Sequence, residues 1–241
     1  MDDIRLPHAI LDADSRTAKA KKIAILSGMS APRPGMRMLE VGCGSGFIVN
    51  YLSTLGFGPN GTFAVDVHDQ RQVIEGYDFS IVTDTSLPFS NEYFDWIITN
   101  HVIEHVGGLS DQKKHLGDIY RCLKPGGTLY LAVPNKWRLF EAHYQLPFLS
   151  WLPAPLADRY IKIRGAKHRY DCRPLPRSEA VSLLCEAGFH VEERTMDAIN
   201  LVRDLEKSVK GYRLAHIVPM SVFAAFRFFV PTLIFVARKL P

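Results

Sequence analysis

The apolar residues along the chain alternate between short strand-like runs and amphipathic stretches, a pattern that predicts an α/β fold with a mostly parallel sheet. Five runs of strand character fall between about residue 36 and Asn135, and helix-like stretches separate them. Parallel strands are expected, because such crossovers need helix-length connections. A lead-in helix is predicted over residues 14–29, a helix with Ser178 as its cap over residues 178–188, and further strands over residues 189–196 and 231–238.

The first apolar run ends in Glu40 and leads directly into glycines at every second position, Gly42, Gly44 and Gly46. Glycines let a turn adopt positive φ and approach a ligand closely, and the following helix presents free N–H groups there. The dinucleotide fingerprint needs a further glycine where this chain has Phe47. The carboxylate of Glu40 would repel a pyrophosphate but can pair with a cation. The turn therefore predicts a site for a nucleoside that carries positive charge.

From the first strand to the fifth, the chain resembles the class I S-adenosylmethionine-dependent methyltransferases, whose fold is Rossmann-like and doubly wound, with a mostly parallel seven-stranded sheet. The resemblance covers residues 30–135 well. It implies that Asp66, 20 residues beyond Gly46, accepts hydrogen bonds from the ribose hydroxyls. It also implies a third strand over residues 79–84, whose last residue, Asp84, accepts a hydrogen bond from the adenine amino group. The implied cofactor is S-adenosyl-L-methionine, bound by Glu40, Gly42, Cys43, Gly44, Gly46, Asp66, Val67, Asp84, Thr85 and Asn100.

Residues 101–105, with the sequence His-Val-Ile-Glu-His, follow the fourth apolar run and form the candidate catalytic group. They formally match a zinc-protease signature, but here they follow a strand rather than lie on a long helix. Three readings stay open: His101, Glu104 and His105 shape the cofactor pocket, bind a divalent metal, or supply a metal-free histidine base. His143 or His168 would complete the set.

The resemblance also bears on which metal such a group would hold. Among the similar enzymes, those of ubiquinone synthesis bind a divalent cation, manganese or magnesium, at this place, and they carry a glutamate where this chain has His101. An imidazole in place of a carboxylate favours a softer metal, such as manganese or zinc, over magnesium.

The regular alternation of strands and helices breaks after Asn135. Residues 135–177 contain five prolines and two tryptophans and are too long for a simple connection, so they predict a cap inserted over the pocket. The predicted organisation is one methyltransferase-like domain. Its parts are a lead-in (1–35), a cofactor-binding core (36–134), the cap (135–177) and a C-terminal part (178–241).

The net charge of +4 is unevenly distributed. Residues 135–177 and 200–241 contain 16 of the 29 Lys and Arg residues but only 5 of the 25 Asp and Glu residues, and aromatic residues lie between the basic ones. This combination is typical of segments that lie on anionic membranes. Residues 217–230 are therefore predicted to contact a membrane surface, with a buried hairpin or a dimer contact as the alternative. Pro219, Arg227 and Pro231 argue against a spanning helix.

Four cysteines without a C-x-x-C pair and an N-terminus without a signal pattern favour a cytoplasmic protein, with peripheral contact on the inner face of the membrane. No nucleic-acid-binding motif is present in the sequence, so nucleic acid is not an expected partner. The resemblance and the amphiphilic cap together imply O-methylation of a quinone-type, phenol-type or lipid-linked acceptor. The alternatives are metal-assisted amination of ubiquinone to rhodoquinone and a non-catalytic cofactor-binding scaffold. The sequence leaves the oligomeric state open.

Overall fold

The computed structural model describes residues 13–141, 144–165, 169–205 and 218–241. Seven strands form one sheet in the order β3-β2-β1-β4-β5-β7-β6, in which β1 to β5 pair in parallel and β7 runs antiparallel to both neighbours. The predicted Rossmann-like, mostly parallel seven-stranded sheet is confirmed. The strands are β1 (Met38–Val41), β2 (Thr62–Asp66), β3 (Asp78–Ile81), β4 (Phe94–Asn100), β5 (Leu123–Pro134), β6 (His190–Glu193) and β7 (Thr232–Arg238).

Helices cover both faces of the sheet, and the period-2 alternation of the strands builds a core on each face. Neighbouring residues such as Met38 and Leu39, or Trp96 and Ile97, are fully buried in different cores. Residues from α1, α2 and α6 pack in the core of Met38, and residues from α3 and α5 pack in the core of Leu39. The helices are α1 (Ala13–Ser27), α2 (Phe47–Leu52), α3 (Leu109–Cys122), α4 (Ala154–Ile163), α5 (Arg177–Glu186), α6 (Thr195–Leu205) and α7 (Met220–Ala225).

Three local predictions are wrong. The strand expected over residues 189–196 ends at Glu193, where its pairing with β7 ends, and α6 begins at Thr195. The third strand was expected to continue to Asp84, but β3 ends at Ile81, which pairs with Asp66 at the end of β2. Because β3 is an edge strand with β2 as its neighbour, its pairing ends where β2 ends. The helix α5 begins at Arg177, directly after Pro176, so Ser178 lies inside its first turn instead of capping it. Proline is tolerated at a helix start but not in a helix interior, and it sets this boundary.

The cap has a small apolar core of its own. Leu146, Leu149, Ala157 and Ile161 are buried together, and α4 supplies the last two. At the end of β5 the side-chain amide of Asn135 donates to the backbone carbonyl oxygens of Phe228 (2.8 Å) and Val230 (2.9 Å). The start of the cap and the segment before β7 are thereby joined. The domain boundaries proposed from the sequence stay a prediction.

The segment before β7 leaves most of its apolar side chains partly or fully exposed, although Val230 at its end is buried. In the helix α7 no residue is buried, and the turn Arg227–Phe229 that follows it has none buried either. Across the part of the chain that the structure describes, no helix combines the length and the apolar character that crossing a bilayer requires.

Gly46 and Gly28 allow a matched test of the glycine turn. Both have positive φ, +80° and +70°, but a Cβ on Gly46 would collide with the Val73 carbonyl oxygen and the Tyr77 hydroxyl, whereas none of the described atoms lies within 4 Å of a Cβ on Gly28. Gly28→Ala should therefore cost only the left-handed strain, about 1 to 2 kcal/mol, and Gly46→Ala clearly more. Denaturant unfolding measures both, and equal losses would contradict the close packing at Gly46.

Candidate active site

A cavity of about 820 Å³ opens at the carboxyl ends of the central strands. The chain passes from β1 outward to β2 and β3 and then returns to the other side of β1 with β4, and such a switch in strand order leaves a crevice where α/β proteins bind ligands. The residues that line the cavity come from α1, the sheet, the cap and the start of β7. They include the glycine turn, the ends of β2 and β4, the loop after β3, Arg16 and Lys19 from α1, Arg138 and Asp171 from the cap, and Pro231 and Thr232.

The glycine turn is held in place by the end of β2. The Gly42 N–H donates to the Val65 carbonyl oxygen, and the Gly44 N–H donates to Asp66 Oδ2, both at 2.8 Å. Gly42 has φ of +75°, and a Cβ there would collide with the Val102 side chain, so only glycine fits. Gly42 and Gly44 line the cavity, while Gly46 lies behind its wall against Val73 and Tyr77. Gly46 thus turns the chain into α2 without touching the cavity.

Glu40 is the buried acid of the cavity. Its side chain is almost fully buried, and Oε2 has no hydrogen-bond partner among the described residues. Burial raises the pKa of Glu40 to about 8, although the positive charge of Arg16 and the Val49 N–H favour the ionised form. A cation bound in the cavity would offset this burial penalty. The site therefore fits a ligand that carries an ammonium or sulfonium group.

All the other predicted cofactor-binding residues line the cavity as well: Cys43, Asp66, Val67, Asp84, Thr85 and Asn100. Asp66 Oδ1 accepts the Val67 N–H at 2.7 Å, so this carboxylate holds its own turn as well as the glycine turn. Asp84 is exposed, and the Ser86 N–H that it accepts lowers its pKa. Burial raises the pKa of the Cys43 thiol, so Cys43 is an apolar packing residue and not a nucleophile.

The histidine group follows β4 and borders the same cavity. His101 has φ of +60°, an uncommon conformation for a non-glycine residue, and its N–H donates to the Ala132 carbonyl oxygen. Glu104 is 1% exposed, and neither of its oxygens has a hydrogen-bond partner among the described residues. Its Oε1 lies 3.4 Å from His101 Nδ1 and 4.0 Å from His105 Nε2. Both histidines line the cavity, and the predicted His143, like His168, lies outside the described residues.

The sequence reasoning missed residues in the cavity wall, Arg16 and Lys19, and one directly behind it, Cys172. Arg16 and Lys19 belong to the polar side of α1, and their approach to Glu40 depends on how α1 packs on the sheet. Cys172 lies 3.7 Å from His105 Nδ1, although the two residues are 67 positions apart. No spacing pattern links such distant residues, so only the fold brings them together.

This sheet order, a glycine turn after β1 and an acid at the end of β2 define the class I S-adenosylmethionine-dependent methyltransferases. Residues 13–194 match the methyltransferase domain family, and the chain belongs to it. The chain is 30% identical over 188 residues to the ubiquinone biosynthesis O-methyltransferase of Parvibaculum lavamentivorans (72% of this chain, 66% of that protein). It is 29% identical over 139 residues to the protein of that name from Brucella melitensis (52% and 53%). The chain thus spans about half to two thirds of these relatives' length.

Solved structures with low sequence identity share the fold. The S-adenosylmethionine-dependent methyltransferase of Mesorhizobium loti has a TM-score of 0.61 at 13% identity and covers 92% of this chain and 100% of its own. Phosphoethanolamine N-methyltransferase 2 of Haemonchus contortus, in complex with S-adenosyl-L-methionine, has a TM-score of 0.57 at 16% identity and covers 92% of this chain and 52% of its own. At these identities the likeness establishes the architecture.

The buried Glu40 predicts a pH-dependent cofactor affinity. Since a cationic ligand pairs with the ionised carboxylate, binding below about pH 8 must displace a proton from Glu40, and affinity should rise with pH until about 8 and then level off. In the ligand-free protein the raised pKa has the opposite effect: stability falls as pH rises towards about 8, because the folded state retains the proton that the unfolded chain has lost. Calorimetric titration with S-adenosylmethionine across this range tests the first point.

Glu40→Gln is the control for this titration. The variant should bind more weakly at high pH and lose the part of the pH dependence that Glu40 contributes. Identical pH profiles of the two proteins would remove Glu40 from the cationic subsite.

Proposed function

We propose that this protein transfers a methyl group from S-adenosylmethionine to an oxygen of an amphiphilic acceptor of the quinone or phenol type. Family membership and the names of the curated relatives support the reaction class. The observation that carries the acceptor class is the continuity between the cavity wall and an aromatic surface.

This aromatic surface consists of Trp137, Phe148, Trp151, Phe228 and Phe229. Its ring centroids form an unbroken series of contacts at 5.0 to 6.1 Å, so the cap and the segment before β7 build it together. Arg138 is the chain neighbour of Trp137, and Pro231 follows Phe229 at a distance of two residues; both line the cavity. An amphiphilic acceptor could therefore place its polar head in the cavity and its apolar tail along the aromatic surface.

The cofactor end of the cavity suits S-adenosylmethionine. Glu40 offers a carboxylate for its positive charge, Asp66 offers an acceptor for the ribose hydroxyls, and the glycine turn allows close approach of the backbone. When bound, the cofactor supplies a methyl group on a sulfonium, which is already activated for displacement. The protein is then left to orient the acceptor, which can contribute about 7 to 11 kcal/mol, and to remove its proton.

His101 is the proposed base. Its Nδ1 is close to the buried carboxylate of Glu104, so Nε2 remains to accept the acceptor's hydroxyl proton as the methyl–sulfur bond breaks and the methyl–oxygen bond forms. The left-handed backbone of His101 fits such a role, since strained residues cluster at functional sites.

The two alternatives from the sequence have less support. Amination of a quinone stays a prediction, because the relatives named here carry methyltransferase names only. The scaffold hypothesis conflicts with a cavity that retains both the cofactor residues and the His101–Glu104 pair.

Incubation with S-adenosylmethionine carrying a deuterated methyl group and with a quinone-precursor phenol bearing a polyprenyl tail tests the proposal. The expected result is one labelled methyl group on a phenol oxygen by mass spectrometry. The substitution His101→Asn should lower turnover by about 10²- to 10⁴-fold and leave cofactor affinity intact. Asparagine is chosen because it tolerates the left-handed φ of this position. His190→Asn, in the exposed part of β6, is the matched control.

Two results would contradict this proposal: one concerns the role of His101, the other the acceptor class. Full turnover of His101→Asn would remove His101 as the base. If no phenol, quinone precursor or membrane lipid gains the label, the acceptor class is wrong.

The aromatic surface also supports peripheral contact with an anionic membrane. Beside it, Phe140 and Phe226 are 60% and 61% exposed, and Lys136, Arg138 and Arg227 supply positive charge nearby. Exposed aromatic side chains among basic residues are typical of interfacial segments. Of the segment predicted from the sequence, residues 218–230 belong to the described part, and Ile217 lies outside it.

The double change Phe140→Ser and Phe226→Ser should reduce co-sedimentation with vesicles of phosphatidylglycerol and phosphatidylcholine. Binding of the unchanged protein should weaken with salt, because each basic residue contributes about 1 kcal/mol that decays within a Debye length. Ile81→Ser, equally exposed but on the edge strand β3, which three strands separate from β5, should bind like the unchanged protein. Equal sedimentation of all three proteins, or none, would argue against this surface.

A further inference from the structure

Gln112 is a fully buried amide near the start of α3, and it joins two segments that are distant in the chain. Its Nε2 group donates to the Ile103 carbonyl oxygen at 3.0 Å and to the Arg173 carbonyl oxygen at 3.2 Å. Its Oε1 accepts a hydrogen bond from the Arg173 guanidinium. Ile103 belongs to the turn after β4, and Arg173 belongs to the segment by which the cap returns to the core. One side chain therefore holds both segments.

The backbone ties the same two segments together. The Arg173 N–H donates to the Glu104 carbonyl oxygen at 2.8 Å. Two residues further on, the Leu175 N–H donates to the Pro134 carbonyl oxygen at 3.3 Å, and the Leu175 carbonyl oxygen accepts the Lys136 N–H at 3.1 Å. The return segment of the cap is thus docked on the turn after β4 and on the end of β5.

The link requires an amide of this length. Glutamine offers an NH₂ group with two donors and one carbonyl oxygen, and both donors and the oxygen are used here. Methionine has a similar length but no N–H donor, and asparagine carries the same groups on a side chain that is one methylene shorter. Loss of the amide would remove a donor from the buried carbonyl oxygen of Ile103, which is costly.

The residues next to the two partners of this amide border the cavity. Ile103 precedes Glu104, whose Oε1 lies 3.4 Å from Nδ1 of the proposed base His101. Arg173 follows Asp171 by two residues, and Asp171 lines the cavity. A shift between the two segments would therefore move the proposed base relative to the cap. A misplacement of about 1 Å can cost about 10²-fold in rate even when its cause is remote from the reacting atoms.

We propose that Gln112 is a positioning residue for the methyl transfer. It holds the turn that carries Glu104, and through this turn it fixes how His101 faces the acceptor, a role that rests on the proposed function. Gln112 is buried and does not line the cavity, so it acts through its neighbours and not by contact with the acceptor. Loss of the amide should therefore impair removal of the acceptor's proton and leave cofactor binding unchanged.

Two phenols of different acidity, both with the same polyprenyl tail, separate this role from a purely structural one. An ordinary phenol, with a pKa of about 10, needs a base at neutral pH, whereas a phenol with strongly electron-withdrawing substituents is already ionised there. Relative to the unchanged protein, Gln112→Met should slow methyl transfer to the ordinary phenol by about 10²-fold and to the acidic phenol by much less. Affinity for S-adenosylmethionine, measured by calorimetry, should stay the same.

His101→Asn should show the same uneven loss between the two phenols. The double variant His101→Asn and Gln112→Met should be little slower than His101→Asn alone, because residues that act on one step are not additive. If Gln112→Met does not fold, Arg173→Met takes its place: it removes the guanidinium but retains the buried amide and both carbonyl oxygens, and it should give a smaller loss with the same unevenness.

Thr195→Val is the matched control for the loss of a buried hydrogen bond. The Thr195 side chain is buried, and its Oγ1 accepts the Ile234 N–H at 3.0 Å, with neither residue in the cavity wall. This variant should unfold at lower denaturant concentration but should not discriminate between the two phenols.

Equal slowing of both phenols by Gln112→Met or its replacement, or full additivity with His101→Asn, would overturn the positioning role and leave the proposed function intact. Failure of the unchanged protein to methylate either phenol would instead overturn the proposed function, and the positioning role with it.

Discussion

The end of β2 determines the geometry on which the whole site depends. Val65 and Asp66 accept backbone N–H groups from Gly42 and Gly44, so the last two residues of one strand fix the turn after its neighbour. This turn sets the entry to α2 and leaves the Glu40 carboxylate facing the crevice. Because Gly42 and Gly46 have positive φ and a side chain at either position would collide, the sequence of this turn is tied to the backbone that shapes the cavity.

The parts of the cavity proposed for the cofactor and for the acceptor differ in how far their residues are separated along the chain. Glu40, the glycine turn and Asp66 lie on adjacent strands within a short stretch of sequence, and regular βα packing is enough to bring them together. The part proposed for the acceptor instead combines the turn after β4, the cap and the segment before β7. Asn135 joins the last two through its side-chain amide. Variation in such connecting segments changes what a conserved architecture acts on.

The separation of residues along the chain also explains which features the sequence could predict. The strands and their parallel pairing follow from local periodicity, and the structure agrees apart from the lengths of β3 and β6 and the start of α5. The departures at β3 and α5 arise from a neighbour's length and from a proline, which the apolar pattern does not encode. The cofactor residues are implied by the family resemblance and stay a prediction. The contact of Cys172 with His105 was beyond sequence reasoning, because it depends on how the cap folds back over the sheet. The packing of α1 against Glu40 is of the same kind.

The position of β7 has a consequence for biosynthesis. β7 lies between β5 and β6 in the sheet but follows both in the chain, so during translation the edge of β5 stays open until β7 emerges from the ribosome. β5 is long and almost entirely buried in the finished fold, and an unpaired apolar edge of that kind is a template for aggregation. If translation stopped before β7, the chain would contain β1 to β5 and the glycine turn, but one edge of β5, the longest strand, would have no pairing partner.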